Sequence, residues 1–373
     1  VVNRPYQETS SRVSGSEIIS SNSKTSYNGN YGLNASWTLY NGNKRLKTIQ
    51  QEKLNNQMAE LDVATSENNI QESIAQVYIQ ILYAAESVKV NENTLQVSIA
   101  QRDRGQELLN AGSIAKSDLA QLEAQVSTDR YQLVTAQATL EDYKLQLKQL
   151  LELDGENEMN IYLPALSDEN VLAPLPTKKD VYISALSLRP EIEASKLNVE
   201  ASELGIGIAK SSYLPTISLS AGIGTNHTSG SDFTFGEQVK NGWNNSIGLS
   251  VSVPIFNNRQ TKSAVQKAKL QYETSMLSLL DEQKTLYKTI EGLWLDANSA
   301  QQRYAAANEK LKSTQISYEL ISEQFNLGMK NTIELLTEKN NLLQAQQEQL
   351  QAKYMAILNM QLLKFYQGDQ LAI

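Results

Sequence analysis

Few side chains in this sequence are of the types that perform enzymatic or redox chemistry. The 373 residues contain no cysteine and one histidine, His227, so thiol catalysis, disulfides and the usual histidine-based acid–base chemistry lack their residues. Carboxylates such as Asp118 and Glu334 could act as general acids or bases. They lie beside glycine turns in different parts of the chain, without a phosphate-binding loop or metal-ligand spacing. We therefore expect no enzyme, no cofactor and no metal site.

The composition argues against further classes of protein. Lys and Arg total 33 and Asp and Glu total 41, which gives a net charge of -8. A nucleic-acid-binding protein needs a basic face that displaces counterions from phosphates, so no nucleic-acid partner is expected. No stretch approaches the roughly 18 to 20 consecutive apolar residues of a membrane-spanning helix. Only 7 prolines and 18 glycines interrupt the chain, which favours long helices.

A tandem duplication accounts for most of the chain. Leu54 aligns with Leu270 at an offset of 216 residues, and Leu119 aligns with Leu335 at the same offset. The register needs no gap between these two pairs. Solenoid repeats have periods of roughly 20 to 50 residues, so this is a different kind of repetition. We predict two copies of one structural unit.

Long helices are predicted in both copies. Apolar residues such as Ile70, Ile74 and Val77 recur at spacings of three and four, which is typical of a helix with one buried stripe. The proline-free segments cover residues 43–110 and 258–326. At about 1.5 Å per residue, each helix would be roughly 100 Å long.

Each long helix is followed by a glycine at the position of a C-cap, Gly112 in the first copy and Gly328 in the second. A second helical pattern follows each glycine. The sequence therefore predicts two antiparallel helical hairpins, at residues 43–152 and 258–366. A solvated coiled coil would show the same polar outer faces.

Strands are predicted before each long helix, because apolar and small polar residues alternate there with a period of two. We predict strand hairpins at residues 3–40 and 213–256. The pattern is much weaker from Pro5 to about Ser16 than in the other strands. A helix at residues 190–212 precedes the second hairpin.

The apolar face of these strands is the expected lipid-facing surface, since about ten tilted residues can cross a bilayer. A two-sheet sandwich would alternate in the same way. Four strands cannot close a membrane barrel, whose smallest form has about 8, so insertion would require several protomers. The predicted lipid-facing residues are Leu33, Ala35, Trp37, Leu39, Ile217, Leu219, Ala221, Ile223, Ile247, Leu249, Val251 and Val253.

The predicted domains are a first repeat at residues 1–152, an inter-repeat linker at 153–189 and a second repeat at 190–373 that ends in a C-terminal tail. The first hairpin begins almost at Val1, without a counterpart of the helix at 190–212. We therefore expect a preceding segment, with any signal peptide or lipid-bearing cysteine, to lie outside this sequence.

Four segments in a fixed order, inside the duplicated frame, carry a resemblance to a known family. They are Arg189–Lys196, Ala209–Ser220, Val253–Asn257 and Phe325–Leu336. In this arrangement the chain resembles the outer-membrane efflux proteins, a TolC-like family, over essentially its whole length. The fold class that this implies is mainly α with β: a duplicated strand hairpin and long helical hairpin.

The resemblance implies a homotrimer in the outer membrane of a Gram-negative bacterium. Twelve strands would form one β-barrel in outer-membrane lipid, and twelve helices an α-helical tunnel in the periplasm. The assembly would be the passive exit duct of a tripartite efflux pump or type I secretion system. Its partners would be a periplasmic adaptor and, through the adaptor, an inner-membrane transporter.

The resemblance also assigns roles to the glycine turns. Gly112 and Gly328 would lie at the periplasmic tips that contact adaptor hairpins, although simple turn glycines would look the same. The alternative function is a secreted or surface helical filament or coiled-coil protein. That alternative explains the long helices but not the duplication or the strands before each of them.

By the same resemblance, four residues near the tips would form the periplasmic aperture or gate. Glu334 matches an acidic position that lines the closed aperture, and Thr337 stands where the next carboxylate would be. Lys330 matches a basic residue that ties the tip shut, and Asp118 matches its carboxylate partner. Such an ion pair would bias a two-state gate by about 1 kcal/mol.

Overall fold

The computed structural model describes residues 11–14, 17–20, 27–153, 161–164, 171–229 and 233–371. The chain divides into two compact units. The sheet unit comprises Val1–Asn56 and Asn198–Met276, and the helical unit comprises Gln57–Leu197 and Leu277–Ile373. Among the described residues, no helix combines the length and the apolar character needed to cross a membrane.

Seven helices and five strands are formed by the described residues. The helices are α1 (Lys44–Asn110), α2 (Lys116–Leu150), α3 (Lys178–Leu188), α4 (Pro190–Ser211), α5 (Phe235–Asn241), α6 (Gln260–Asn326) and α7 (Thr332–Gln367). The strands are β1 (Ser11–Ser14), β2 (Glu17–Ser20), β3 (Asn28–Asn41), β4 (Thr216–Thr228) and β5 (Asn244–Ser252).

The duplication is visible in the helix boundaries. Helices α1 and α6 each contain 67 residues, and they begin at Lys44 and Gln260, which are 216 positions apart. Helices α2 and α7 begin at Lys116 and Thr332, which have the same spacing. The two copies therefore fold alike along both helices, as the ungapped repeat predicts.

The long strands form one antiparallel sheet in the order β3-β4-β5. This differs from the predicted hairpin at residues 3–40, because β3 pairs with β4 while β1 pairs with β2. Residues 3–10 of that prediction lie outside the described residues. The physical reason is strand length: β4 has 13 residues and can match the 14 of β3, whereas β1 and β2 have 4 each.

A helix occupies part of the predicted linker at residues 153–189. Thr177 is the N-cap of α3, and its hydroxyl accepts a hydrogen bond from the backbone N–H of Asp180. The side chains of Val181 and Ala185 are fully buried. They pack in a cluster with residues of α4, α6 and α7, so this part of the segment belongs to the core of the helical unit.

Each unit has its own stabilising contacts. In the helical unit, a second buried cluster joins α1, α6 and α7 around Leu82, Tyr304 and Leu362. In the sheet unit, the side-chain amide of Gln51 donates to the carbonyl of Ala201 at 2.9 Å. Long helices with polar outer faces depend on such packing, because helical propensity alone contributes little.

Candidate functional site at the helix turns and the sheet

The turn between α1 and α2 is closed by Gly112, whose φ is +72°. Its N–H donates to the carbonyl of Leu109 at 2.9 Å, and the N–H of Ser113 donates to the carbonyl of Leu108 at 2.8 Å. These bonds satisfy carbonyls at the end of α1. A Cβ at Gly112 would meet nothing within 4 Å, so glycine is required here for its backbone conformation rather than for space.

The turn between α6 and α7 repeats this geometry. Gly328 has a φ of +75°, and its N–H donates to the carbonyl of Phe325 at 2.9 Å. The N–H of Met329 donates to the carbonyl of Gln324 at 2.8 Å. Gly112 and Gly328 therefore lie at equivalent turns, as the sequence predicts. Their contact with an adaptor stays a prediction.

The two turns differ in polarity. At the second turn, the side chains of Leu327, Met329 and Ile333 are 75%, 71% and 64% exposed. At the first turn, the exposed residues include Asn110 and Ser113. The second turn therefore presents an apolar surface, and the first presents a polar one.

Glu334 is held at the first turn of α7 by two hydrogen-bonded neighbours. Asn331 is the N-cap: its side-chain oxygen accepts from the N–H of Glu334 at 2.9 Å, and its own N–H donates to the Glu334 carboxylate. Lys330 Nζ donates to the same carboxylate at 2.5 Å. The hydrogen bond from Lys330, followed by that from Asn331, lowers the pKa of Glu334, so its charge persists in moderately acidic solution.

The first turn of α2 contains Asp118, whose carboxylate accepts from the N–H of Ala115 at 3.0 Å. Within the protomer, Asp118 and Lys330 each have a partner in their own turn and are not bonded to each other. The tie between them stays a prediction. Thr337 is exposed, and its hydroxyl donates to the carbonyl of Ile333 at 2.8 Å.

The sheet places most of the predicted lipid-facing residues in aligned rows. Trp37 pairs with Leu219, which pairs with Leu249, so one row crosses all three strands. In the next row, Ala221 pairs with Ile247. Because alternate residues of a strand share a face, these rows form one apolar surface.

Two predicted members of that surface lie outside the regular pairing. The register shifts between Thr38 and Tyr40, so Leu39 lies at a bulge and Ile217 pairs with Tyr40. Val253 follows the last residue of β5, Ser252.

The apolar surface of the sheet is open in the described protomer. Trp37, Ile247 and Leu249 are 62%, 84% and 66% exposed. In a two-sheet sandwich the apolar face of one sheet is covered by the other. The described residues place no second sheet over these three side chains, which argues against the sandwich.

Sequence reasoning missed a buried polar group of three residues, Ser98, Asp129 and Lys339, called here the Lys339 cluster. All three side chains are at most 3% exposed. A signal was available, because each stands at an apolar position of a helical stripe. Among the described residues, no group of three or more histidine and acidic side chains is arranged to hold a metal ion.

Comparison with known proteins decides the family. The family model described as outer membrane efflux protein matches residues 5–152 and 181–368, which together cover most of the chain. The chain belongs to the outer membrane efflux protein family. This family is one of channels rather than enzymes, and the match favours the channel interpretation over the helical filament.

Individual relatives are distant in sequence. The chain is 24% identical to outer membrane efflux protein BepC of Brucella suis, over 77% of this chain and 60% of BepC. It is also 24% identical to TolC of Escherichia coli, over 76% of this chain and 58% of TolC. The chain thus spans about three fifths of the length of these relatives.

Solved structures support the same TolC-like fold. A crystal structure of CusC matches with a TM-score of 0.79 at 19% identity, covering 99% of this chain and 83% of that one. The outer membrane protein VceC of Vibrio cholerae matches with a TM-score of 0.76 at 16% identity, covering 100% of this chain and 88% of VceC.

Proposed function

We propose that this chain is the outer-membrane channel component of a tripartite efflux pump or type I secretion system. The observation that carries the proposal is the open apolar face of the sheet, in a member of the outer membrane efflux protein family. Exposed contiguous apolar surface of this kind marks a membrane or protein contact. In this proposal the rows through Trp37, Leu219 and Leu249 contact outer-membrane lipid.

The proposed assembly is a homotrimer. Three long strands per protomer form an open sheet, and an open edge is not tolerated in lipid. A closed barrel of twelve strands would need one further strand from each protomer. The helical hairpins of the three protomers would then form the periplasmic tunnel.

The proposed adaptor contacts are the two glycine turns. The second turn has an apolar surface, which an apolar adaptor hairpin could bury. Leu327, Met329 and Ile333 form this surface. The more polar first turn, with Asn110 and Ser113, would supply hydrogen bonds at the same contact. An inner-membrane transporter, reached through the adaptor, would provide the energy, and the channel itself would be a passive duct.

The names of the relatives refer to different kinds of cargo. They include an alkaline protease secretion protein, a cation efflux system protein and a toxin and drug export protein. We propose that cargo is chosen by the transporter. The duct would then need only a water-filled interior wide enough for each cargo.

The test is extraction of the full-length protein from outer-membrane fractions, followed by mass determination and reconstitution in planar bilayers. The proposal predicts a particle of three protomers that gives stepwise ion conductance. A monomer recovered from the soluble fraction, or an open filament, would contradict it.

A further inference from the structure

The Lys339 cluster joins three helices of the helical unit at a point where each would otherwise be apolar. Ser98 follows Leu95 on the buried stripe of α1. Asp129 follows Val126 on the stripe of α2, and Lys339 lies between Leu335 and Leu342 on that of α7. Their side chains are 2%, 3% and 3% exposed, so all three polar groups are removed from water.

The hydrogen bonds of the cluster are complementary. Lys339 Nζ donates to the Asp129 carboxylate and to the Ser98 hydroxyl, which in turn donates to Asp129. The other carboxylate oxygen accepts from Gln125 at 2.9 Å. Burial lowers the pKa of Lys339, while the hydrogen bond with Asp129 opposes that change.

A buried ion pair of this kind adds little to stability relative to apolar residues of similar volume, because both charges lose their hydration. Its best-attested use is to fix the register of packed helices. If α7 moved along its axis by one turn, about 5.4 Å, Leu335 and Leu342 could still find apolar neighbours. Lys339 could not reach Asp129, so the cluster penalises that shift.

A partly open cavity lies beside the Lys339 cluster. Its volume is about 110 Å³, and it is lined by residues of α1, α6 and α7 that include Val97, Tyr318 and Leu342. Because this cavity is partly open to solvent, no filled core among the described residues covers this side of α7 beside Lys339. Apolar contacts there constrain the height of α7 less than a filled core would.

The cluster is also close in sequence to both glycine turns. Lys339 lies about two helical turns after Thr332, where α7 begins, and Ser98 about three turns before Asn110, where α1 ends. We propose that the Lys339 cluster fixes the axial register of α7 against α1 and α2. It thereby sets the height of the Gly328 turn relative to the Gly112 turn.

The consequence for a channel rests on the proposed function. Two turns at a fixed relative height form one docking surface for an adaptor and one aperture of defined geometry. The axial register itself is a property of the protomer and can be measured whether or not the protein conducts ions.

The test uses spin labels at two exposed turn positions, in the double variant Ser113→Cys/Met329→Cys. The natural chain has no cysteine, so labelling is specific. Electron–electron distance measurements on the full-length protein should give a single population of distances between the two labels of one protomer. Assembly with an excess of the cysteine-free natural protein dilutes the labels, so that distances between protomers are suppressed.

In this labelled background, the triple variant Ser98→Ala/Asp129→Leu/Lys339→Met replaces the cluster by apolar residues. We expect it to keep its helical circular dichroism and to gain a second population of label-to-label distances, which would result from a shift of α7 along its axis by about one helical turn, 5.4 Å. One unchanged population would overturn the proposal. If this variant does not fold, Asp129→Asn/Lys339→Met removes both charges while residue 129 can still bond to Ser98 and Gln125, and the same outcomes apply.

The matched control is the exposed ion pair between Lys310 on α6 and Glu348 on α7, which are 2.7 Å apart and about 40% exposed. Lys310→Met/Glu348→Leu should leave one population, and broadening in this variant as well would overturn a specific role for the cluster. If the triple variant changes register but the natural protein does not conduct ions, the inference stands and the proposed function is contradicted. If the natural protein conducts ions and the triple variant keeps its register, the proposed function stands and the inference is contradicted.

Discussion

Arg189 joins three helices of the helical unit through one planar side chain. Its guanidinium donates to Glu72 on α1 at 3.0 Å and to Glu191 on α4 at 2.8 Å. It also lies 4.1 Å from the centre of the Tyr366 ring on α7. Burial raises the pKa of the Tyr366 hydroxyl to about 12, so that ring is neutral at physiological pH and the contact is a cation–π interaction.

Replacing this arginine should destabilise the helical unit strongly. Arg189→Met would leave Glu72 and Glu191 partly buried without a cation, at a cost of roughly 3 kcal/mol in the free energy of unfolding. Denaturant titration followed by circular dichroism measures this cost. The control is Lys196→Met, which removes an exposed pair with Glu193 and should cost less than about 1 kcal/mol. Equal costs for the two variants would contradict a special role for Arg189.

The charged residues predicted at the two turns bond to neighbours in their own turns within the protomer. Lys330 precedes the N-cap Asn331 and is bonded to Glu334 in the first turn of α7. The resemblance predicts a tie between Lys330 and Asp118, and this tie stays a prediction. Partner choice depends on the packing of separate helices, which periodicity within one helix does not encode.

At the scale of elements, the two glycine turns require a positive φ, and any other residue at these positions lowers the free energy of unfolding. Gly112→Ala should lower the free energy of unfolding by about 1 kcal/mol, because φ near +72° is unfavourable for a residue with a Cβ. Denaturant titration measures the change. Gly292→Ala is the matched control, since a Cβ there also meets nothing within 4 Å but lies inside α6. It should raise stability by up to about 1 kcal/mol, and the same sign in both variants would contradict this account.

The sheet makes a prediction that depends on which face a residue occupies. Leu249→Arg puts a charge on the apolar face and should cost roughly 2 to 4 kcal/mol per protomer near the bilayer midplane. The amount of trimer recovered from outer-membrane fractions should fall accordingly. Ser250→Arg, one residue further along β5 and on the opposite face, is the control and should assemble. Normal assembly of Leu249→Arg would mean that this face does not contact lipid.

The long helices and the three long strands could be predicted from the sequence because their signals are local and periodic. The partner of β3 could not, since strand pairing is set by contacts between distant segments. Helix α3 was not predicted, because it lies in a segment that contains several prolines. A signal was present, since Thr177 and Asp180 form an N-terminal capping pattern there. The Lys339 cluster shows that a charged residue inside an apolar stripe is a usable signal for a buried partner.

At the scale of the whole assembly, the proposed aperture would contain three copies of Glu334, each bonded to its own Lys330. The lysine offsets the charge of the carboxylate, and Thr337 adds no charge of its own. A ring of this kind should select weakly for cations in spite of the net charge of -8.

Lys330→Gln should change ion selectivity in two ways. At neutral pH the three carboxylates are no longer offset, so the potassium-to-chloride permeability ratio should rise, by roughly twofold. The variant also lacks the main contact that lowers the pKa of Glu334, and that pKa should rise towards its ordinary value. As the solution is acidified, the added cation preference should therefore disappear at a higher pH than the one at which the natural carboxylate loses its charge.

Reversal potentials in planar bilayers, measured across a salt gradient from neutral to acidic pH, test both parts. Glu334→Gln is the matched control: with no carboxylate at this position, it should show neither the raised cation preference nor its loss on acidification. The combined variant Lys330→Gln/Glu334→Gln should abolish both effects of Lys330→Gln, because each acts through the same carboxylate. A selectivity change that survives in the combined variant would mean that Lys330 acts through another group. No change in Lys330→Gln would mean that this turn does not line the conducting aperture.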